Sequence, residues 1–343
     1  MKLSILFGGA SFEHEISIVS AITLMQKLPG FDLNFIFCDQ DHTFYRINPA
    51  QMKAKTFSNG DYKKAPQLQM VKQGFEWRKT FGKTLYDAPV LNLIHGGDGE
   101  DGSIAALLDF YDIAYIGPRK EASVFSFDKC YTKWLASEVG VKTLSCEVLR
   151  RGEVPTMALP VIIKPARLGS SIGVSIVKEA HELQYALDVA FEFDERVVIE
   201  PFIAGVKEYN LAGCKTNEGM QFSIVEEPQK SEFLDFDKKY RDFSRSGQAN
   251  EAALSTAMVT RLQQAFASIY EGLFEGALIR CDFFEIEGEV YLNEINPIPG
   301  SMAHYLFEDF AMLIIALMQA LPQQKRPKVD YRYIHSINQA KGK

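Results

Sequence analysis

Two segments near the C-terminus carry oxygen-bearing side chains at strand spacing. Arg280 and Asp282 lie two apart in residues 277–286, and Glu294 and Asn296 lie two apart in residues 290–296. Alternation along a strand puts each pair on one face. A connection through Glu287-Gly288-Glu289 predicts that Ile286 faces Val290, that Asp282 faces Glu294 and that Arg280 faces Asn296. A two-residue connection would put the two sets on opposite faces. Facing carboxylates repel, so burying them requires compensation. Arg280 could supply it as a structural ion pair. The other reading is a site for a hard divalent cation. Asp, Glu and Asn oxygens suit Mg²⁺, which completes its shell with phosphate oxygens and water. No His or Cys joins the set, which disfavours zinc.

A second segment, Lys164-Pro165-Ala166-Arg167-Leu168-Gly169-Ser170-Ser171-Ile172-Gly173, lies between two predicted strands. Its small residues allow backbone N–H groups to approach a phosphate, and Lys164 adds a cation. An ordinary flexible turn is the competing reading. Gly82-Lys83-Thr84 imitates the end of a P-loop, but Trp77 stands where its first Gly is required. Gly8-Gly9 lacks the G-x-G-x-x-G spacing of a dinucleotide site. Lys129 and Lys133 are one turn apart and read, by themselves, as a solvated helix face. His95 follows a strand and opens a loop rich in glycine and carboxylates. There Glu100 and Asp101 suit the positive end of the next helix, and His95 suits a ligand. Glu15 reads as a first-turn carboxylate. Glu13, in the loop after the first strand, is either structural or a partner for a substrate ammonium group.

These residues need a scaffold of alternating strands and helices. Residues 3–7, 33–37 and 90–94 read as strands, and residues 17–28 and 103–111 as helices. That order predicts an α/β fold with an N-terminal parallel sheet and ligand loops at the carboxyl ends of its strands. Residues 41–87, with aromatic strand-like pieces at 43–47 and 74–78, read as decoration of this unit. Gly117-Pro118 marks a boundary. A middle unit follows, with helices at 128–139 and 181–191 and strands at 161–164, 174–177 and 197–200. The last third offers a polar loop at 235–250, a helix at 256–274, the two chemistry-bearing strands, an apolar helix and a polar tail.

Composition narrows the function classes. The 343 residues are 47% hydrophobic and 24% charged, with 25 Phe and 14 Tyr, which excludes disorder over most of the chain. A formal net charge of −7 argues against a general nucleic-acid or anionic-membrane binder. The longest apolar run, residues 310–318, is half of a bilayer span. With no signal peptide in view and five scattered cysteines lacking a C-x-x-C pair, the expectation is a cytoplasmic protein with reduced thiols.

Taken together, these motifs resemble those of the D-alanine–D-alanine ligase family of the ATP-grasp superfamily. The resemblance is carried by residues 7–15, 95–102, 126–129, 164–173, Lys238-Lys239-Tyr240 and 280–300, in the family's order and near its spacing. It implies a three-domain architecture with limits near 1–118, 119–199 and 200–343. It also implies ATP with two Mg²⁺ ions, or Mn²⁺ in their place, D-alanine as substrate, and a homodimer. Lys129, Lys164, Ser170, Ser171 and Lys239 would bind ATP phosphates. Glu200, Pro201, Phe202 and Ile203 would receive adenine and Glu208 the ribose. Asp282, Glu294 and Asn296 would hold the metal. Glu13 and His95 would meet the first D-alanine, Arg280 and the N–H of Gly300 the oxyanion. Ser170 and Tyr240 would link to Glu13 and close the site. The implied reaction proceeds through a D-alanyl phosphate and serves peptidoglycan precursor synthesis. Tyr240 favours an amine as second nucleophile, since relatives that join D-alanine to D-lactate typically lack it. A D-alanine–D-lactate ligase or another carboxylate–amine ligase is the alternative. Two features depart from the family pattern. Tyr305 stands where a Ser often meets the second substrate's carboxylate, and the interval from Glu200 to Glu208 is one residue longer than usual, leaving Lys207 as a rival ribose contact.

Overall fold

The computed structural model describes residues 1–228, 249–323 and 327–341. The first sheet contains β1 (Lys2–Gly8), β2 (Asp32–Cys38), β3 (Phe44–Ile47), β4 (Gln67–Val71), β5 (Gly74–Arg78), β6 (Lys83–Tyr86), β7 (Val90–Asn92) and β8 (Tyr115–Ile116). Their spatial order is β6-β5-β4-β3-β2-β1-β7-β8. In β1, Leu3, Ile5, Leu6 and Phe7 are all fully buried. This continuous apolar run marks a strand covered on both faces. It pairs in parallel with β2 and β7, and β7 pairs in parallel with β8. The parallel sheet expected from the sequence is thus confined to these four strands. Residues 41–87 extend it with antiparallel pairs from β2 through β6. The turns between β2 and β3, β4 and β5, and β5 and β6 are too short for a crossover, so only antiparallel pairing is open to them.

The remaining strands are β9 (Lys142–Thr143), β10 (Glu147–Arg150), β11 (Val161–Pro165), β12 (Ser175–Val177), β13 (Arg196–Pro201), β14 (Lys207–Thr216), β15 (Gly219–Phe222), β16 (Ile279–Ile286) and β17 (Glu289–Asn296). They form two sheets, ordered β10-β13-β11-β12 and β15-β14-β16-β17-β9. The second sheet is covered by the helix Leu183–Phe191, whose Ala186, Leu187 and Ala190 pack on Ile163, Val177 and Val197. The third is covered by the helix Thr256–Tyr270, capped by the Ser255 hydroxyl accepting from the Met258 N–H. Its Leu262, Phe266 and Ile269 pack on Tyr209, Leu211 and Phe283.

The apolar run resolves as the helix Phe310–Gln319, with Phe310, Ile314 and Leu317 buried in the same core as Phe7 and Phe37. The C-terminal third therefore closes one side of the N-terminal core. No single helix is long and apolar enough to cross a membrane among the described residues. The tail, expected as merely polar, includes the helix Arg332–Lys341. All five cysteines are free.

Candidate active site

β16 and β17 are joined by Glu287 and Gly288, at φ 52° and 80°, with Ile286 opposite Glu289. Two successive positive φ values give a turn that matches the twist of antiparallel strands. The three-residue connection expected from the sequence is not formed. A bulge restores the facing arrangement by another route: Phe283 pairs with Leu292 and Asp282 with Glu294, so Asn293 is the extra residue. Arg280 then lies opposite Asn296, as expected.

Arg280 grips Asp282 with two bonds, Nε to Oδ1 at 2.6 Å and Nη2 to Oδ2 at 2.8 Å. Asn296 Nδ2 donates to Asp282 Oδ2 at 3.1 Å. Burial raises the Asp282 carboxyl above its usual range; Arg280 opposes this, and a hydrogen bond with Glu294 adds to it. Two carboxyl groups in such contact require a shared proton or a bound cation. Asp282, Glu294 and Asn296 thus fit a hard cation that takes its other ligands from phosphate and water. No group of three His, Cys, Asp or Glu side chains is placed to hold a metal among the described residues.

The lysines converge from two elements. Asp128 caps the helix Lys129–Glu138, its Oδ1 accepting from the Cys130 N–H at 2.9 Å. Lys133 is not on a solvated face as its spacing with Lys129 suggested: it is buried, and its Nζ lies 2.6 Å from Glu200 Oε1. Lys164, on β11, reaches Glu200 Oε2 at 2.6 Å. Burial would raise the Glu200 carboxyl, but Lys164 and Lys133 outweigh it and hold it at about 2. Lys129 donates to the Leu168 carbonyl at 2.6 Å, at the start of the glycine loop; burial depresses this lysine. Pro201, Phe202 and Ile203 continue from β13, and Phe202 N donates to the Pro160 carbonyl at 3.0 Å. In β14, Lys207 pairs with Glu285 at 3.2 Å. Glu208, one residue on and therefore on the other face, interacts electrostatically with Lys164.

The N-terminal sheet supplies the third side. Ser170 Oγ donates to Glu13 Oε1 at 2.5 Å, tying the loop of the second sheet to the first. Ser170 and Ser171 stand at φ 55° and 59°. Close approach demands glycine on both sides of Glu13. A Cβ on Gly96 would lie 2.5 Å from its Oε2, and one on Gly169 would lie 2.9 Å from its Oε1. Burial raises the Glu13 carboxyl, opposed by Ser170 and Lys129.

Glu100, expected at a helix start, bonds the Gly96 backbone at the start of the helix Gly97–Glu100, and burial and the Glu13 charge push its carboxyl well up. Asp101 does act at the helix start, its Oδ1 accepting from the Ser103 N–H at 2.8 Å. His95 is buried, with Nδ1 2.6 Å from the Leu93 carbonyl, and burial lowers it to about 4, so the ring is neutral at physiological pH. Its Nε2 is buried without a hydrogen-bond partner. After Gly300 the chain makes a left-handed turn at Ser301, Met302 and Ala303, with φ 47°, 54° and 47°. Such backbone in non-glycine residues is costly and concentrates at functional sites. Tyr305 follows, beside Arg280. Lys239 and Tyr240 lie outside the described residues.

Sequence reasoning missed Lys133, Asn293 and Glu100 as members of this cluster. Only Lys133 left a trace, its one-turn spacing from Lys129.

The profile described as "D-ala D-ala ligase N-terminus" matches residues 2–118, and that described as "D-ala D-ala ligase C-terminus" matches residues 133–314. The chain is 62% identical over 345 residues to a D-alanine–D-alanine ligase of Sulfurimonas denitrificans and 54% identical over 350 residues to one of Helicobacter hepaticus, covering 100% of both chains in each case. It also resembles the crystal structure of the D-alanine–D-alanine ligase from Helicobacter pylori. That match has a TM-score of 0.84 and 48% identity, over 95% of this chain and 100% of that one. By sequence along its whole length and by fold, this chain belongs to the D-alanine–D-alanine ligases, ATP-dependent enzymes of the ATP-grasp family.

Proposed function

We propose that this site joins two D-alanines by activating the first as a D-alanyl phosphate. The observation that carries the reading is the 2.5 Å contact between Glu13 and Ser170. It brings an ammonium-binding carboxylate against the glycine loop, while Lys129 and Glu294 both act on Glu13.

In this reading Lys129, Lys164 and Lys239 hold the phosphates of ATP under residues 169–173. Residues 200–203 border the adenine and Glu208 the ribose. Asp282, Glu294 and Asn296 would hold Mg²⁺, which when bound would neutralise charge on the phosphates. Glu13 binds the first D-alanine's ammonium group, with neutral His95 beside it. That substrate's carboxylate attacks the γ-phosphate of ATP, and ADP leaves. The second D-alanine's amine then attacks the activated carbonyl and phosphate leaves. Arg280 and the Gly300 N–H face the oxyanion that develops. Ser170 and Tyr240 close the loop over the site and exclude water, which would hydrolyse the acyl phosphate. Domain limits near 118 and 199, and association as a homodimer, belong to the same reading; light scattering tests the latter.

Phosphate release from MgATP with D-alanine, L-alanine, or D-alanine plus D-lactate tests the assignment. Release that tracks D-alanyl-D-alanine by mass, with L-alanine inert, is the expected result. Release only with D-lactate present would move the chain to the depsipeptide-forming enzymes. Arg280→Ala is expected to retain ATP binding and to lose ligation by roughly 10²–10³-fold.

A further inference from the structure

Asp282 and Glu294 are two members of a longer row. Glu226 bridges to Asn210 with paired backbone bonds of 2.9 Å, Asn210 pairs with Asp282, and Asp282 pairs with Glu294. Directly opposed residues share a face of the sheet. Glu226 therefore projects from the same face as the two carboxylates assigned to the metal, two strands away. It is only 5% exposed. A buried carboxylate requires donors. Glu226 Oε2 accepts from Asn210 Nδ2 at 3.0 Å and from the Tyr305 hydroxyl at 3.5 Å.

Tyr305 is the residue that stands where relatives often carry a Ser. Its hydroxyl has one proton to give. Burial pushes the phenol up to about 12, and the Glu226 charge adds to this while Arg280 opposes it, so the group stays protonated through the working range. That proton is directed at Glu226 Oε2. Arg280, a donor only, meets the phenol oxygen. Asn210, Glu226, Tyr305, Arg280 and Asp282 form one polar chain across the sheet face. A phenol so engaged has no proton left for a substrate carboxylate.

Building on the site reading above, we propose that Glu226 is a positioning residue for the second half of the reaction: by holding the Tyr305 hydroxyl it fixes Tyr305 and Arg280 as one wall of the pocket for the second D-alanine. Tyr305 shapes that pocket and does not bind the second substrate's carboxylate as a seryl hydroxyl would.

The two halves of the reaction are separable. Positional isotope exchange in γ-labelled ATP requires only the first D-alanine, whereas dipeptide formation requires both. Glu226→Ala and Tyr305→Phe are each expected to raise the KM for the second D-alanine about tenfold, the effect of losing a hydrogen bond to a charged group. Exchange should remain at the wild-type level. The double variant should be no worse than either single one. Glu226→Gln, which keeps an acceptor for Tyr305, should lie within about twofold of wild type. An unchanged KM in Tyr305→Phe, additive losses in the double variant, or Glu226→Gln as impaired as Glu226→Ala would each overturn the proposal. Should Glu226→Ala fail to fold, Tyr305→Phe and Glu226→Gln still decide it. Failure of the underlying site reading has a different signature: Arg280→Ala would leave both exchange and dipeptide formation intact.

Discussion

Asn293, the extra residue of the β17 bulge, accepts a hydrogen bond from Lys164 of the second sheet, with Oδ1 3.3 Å from Nζ. One irregularity in the strand ladder thus serves two purposes. It returns Glu294 and Asn296 to the face of Asp282, and it turns the intervening side chain toward the lysine that also binds Glu200. Bulges recur where a sheet must re-aim a side chain at a site.

Deleting Asn293 separates these purposes from simple loss of a contact. Removing the extra residue leaves a regular ladder in which Leu292 still pairs with Phe283 and Glu294 with Asp282, so Glu294 and Asn296 keep their face; metal binding is expected to persist while the contact with Lys164 is lost. Asn293→Ala keeps the register and loses only a hydrogen bond of about 1 kcal/mol, raising the KM for ATP several-fold. Calorimetric Mn²⁺ binding is expected to match wild type in both variants while the KM for ATP rises. Loss of metal affinity in a folded deletion variant would show that the bend of the bulge, and not register alone, aims Glu294.

Glu200 couples Lys133 and Lys164 in a buried triad. Glu200→Gln removes the carboxylate that both buried ammonium groups share, and is expected to cost about 3–5 kcal/mol in denaturant unfolding. The pH dependence has a defined sign. The folded carboxyl, held at about 2, lies below its ordinary value of 4.5. Its contribution, about 3 kcal/mol at 1.36 kcal/mol per unit, is full above pH 4.5 and is lost as pH falls toward 2. The stability difference between wild type and Glu200→Gln should shrink over that window and stay constant above it.

His95 titrates in the opposite sense of charge but with the same direction of stability. Burial lowers it from 6.5 to about 4 in the folded chain, so the unfolded chain binds more protons between those values. Stability is expected to fall by about 3 kcal/mol from this group as pH drops from 6.5 to 4. His95→Gln should abolish that part of the slope in chemical denaturation measured across the range. A neutral His95 also predicts that no limb of the pH–rate profile above pH 6 belongs to it. A limb lost in His95→Gln would contradict this.

Gly169→Ala tests how closely the glycine loop must approach Glu13. The added methyl would stand 2.9 Å from Oε1 and force the carboxylate or the loop aside. The expected outcome is a rise of about tenfold in the KM for the first D-alanine, equivalent to one charge-assisted hydrogen bond. The KM for ATP should change far less. A rise confined to ATP would show that the loop acts on phosphate alone.

Much of this protein was legible before any coordinates. Apolar runs located β1, β2, β7 and β11, because a strand that packs into a core is built mostly of apolar residues. Alternation paired Arg280 with Asp282 and Glu294 with Asn296 on their faces, a property of the single strand. The order of the motifs pointed to the family, and relatives matching along the whole chain agree.

What the tertiary structure decided were relationships between elements. Whether the two carboxylate-bearing strands face alike depends on turn length and bulge together; each changes the register by one residue, and neither is visible in the alternation. Lys133 could not be distinguished from a surface lysine, since its partner Glu200 is 67 positions away on β13. Glu100 carried the signature of a helix-end carboxylate, and only burial in the folded chain brought it within the field of Glu13. Residues 41–87 contained recognisable strands, but β3 pairs with β4 across residues 48–66, a separation that no local pattern encodes. Local sequence determines which way a side chain leaves its own backbone. What it meets there is determined by the free energy of packing distant segments together, which no single segment contains.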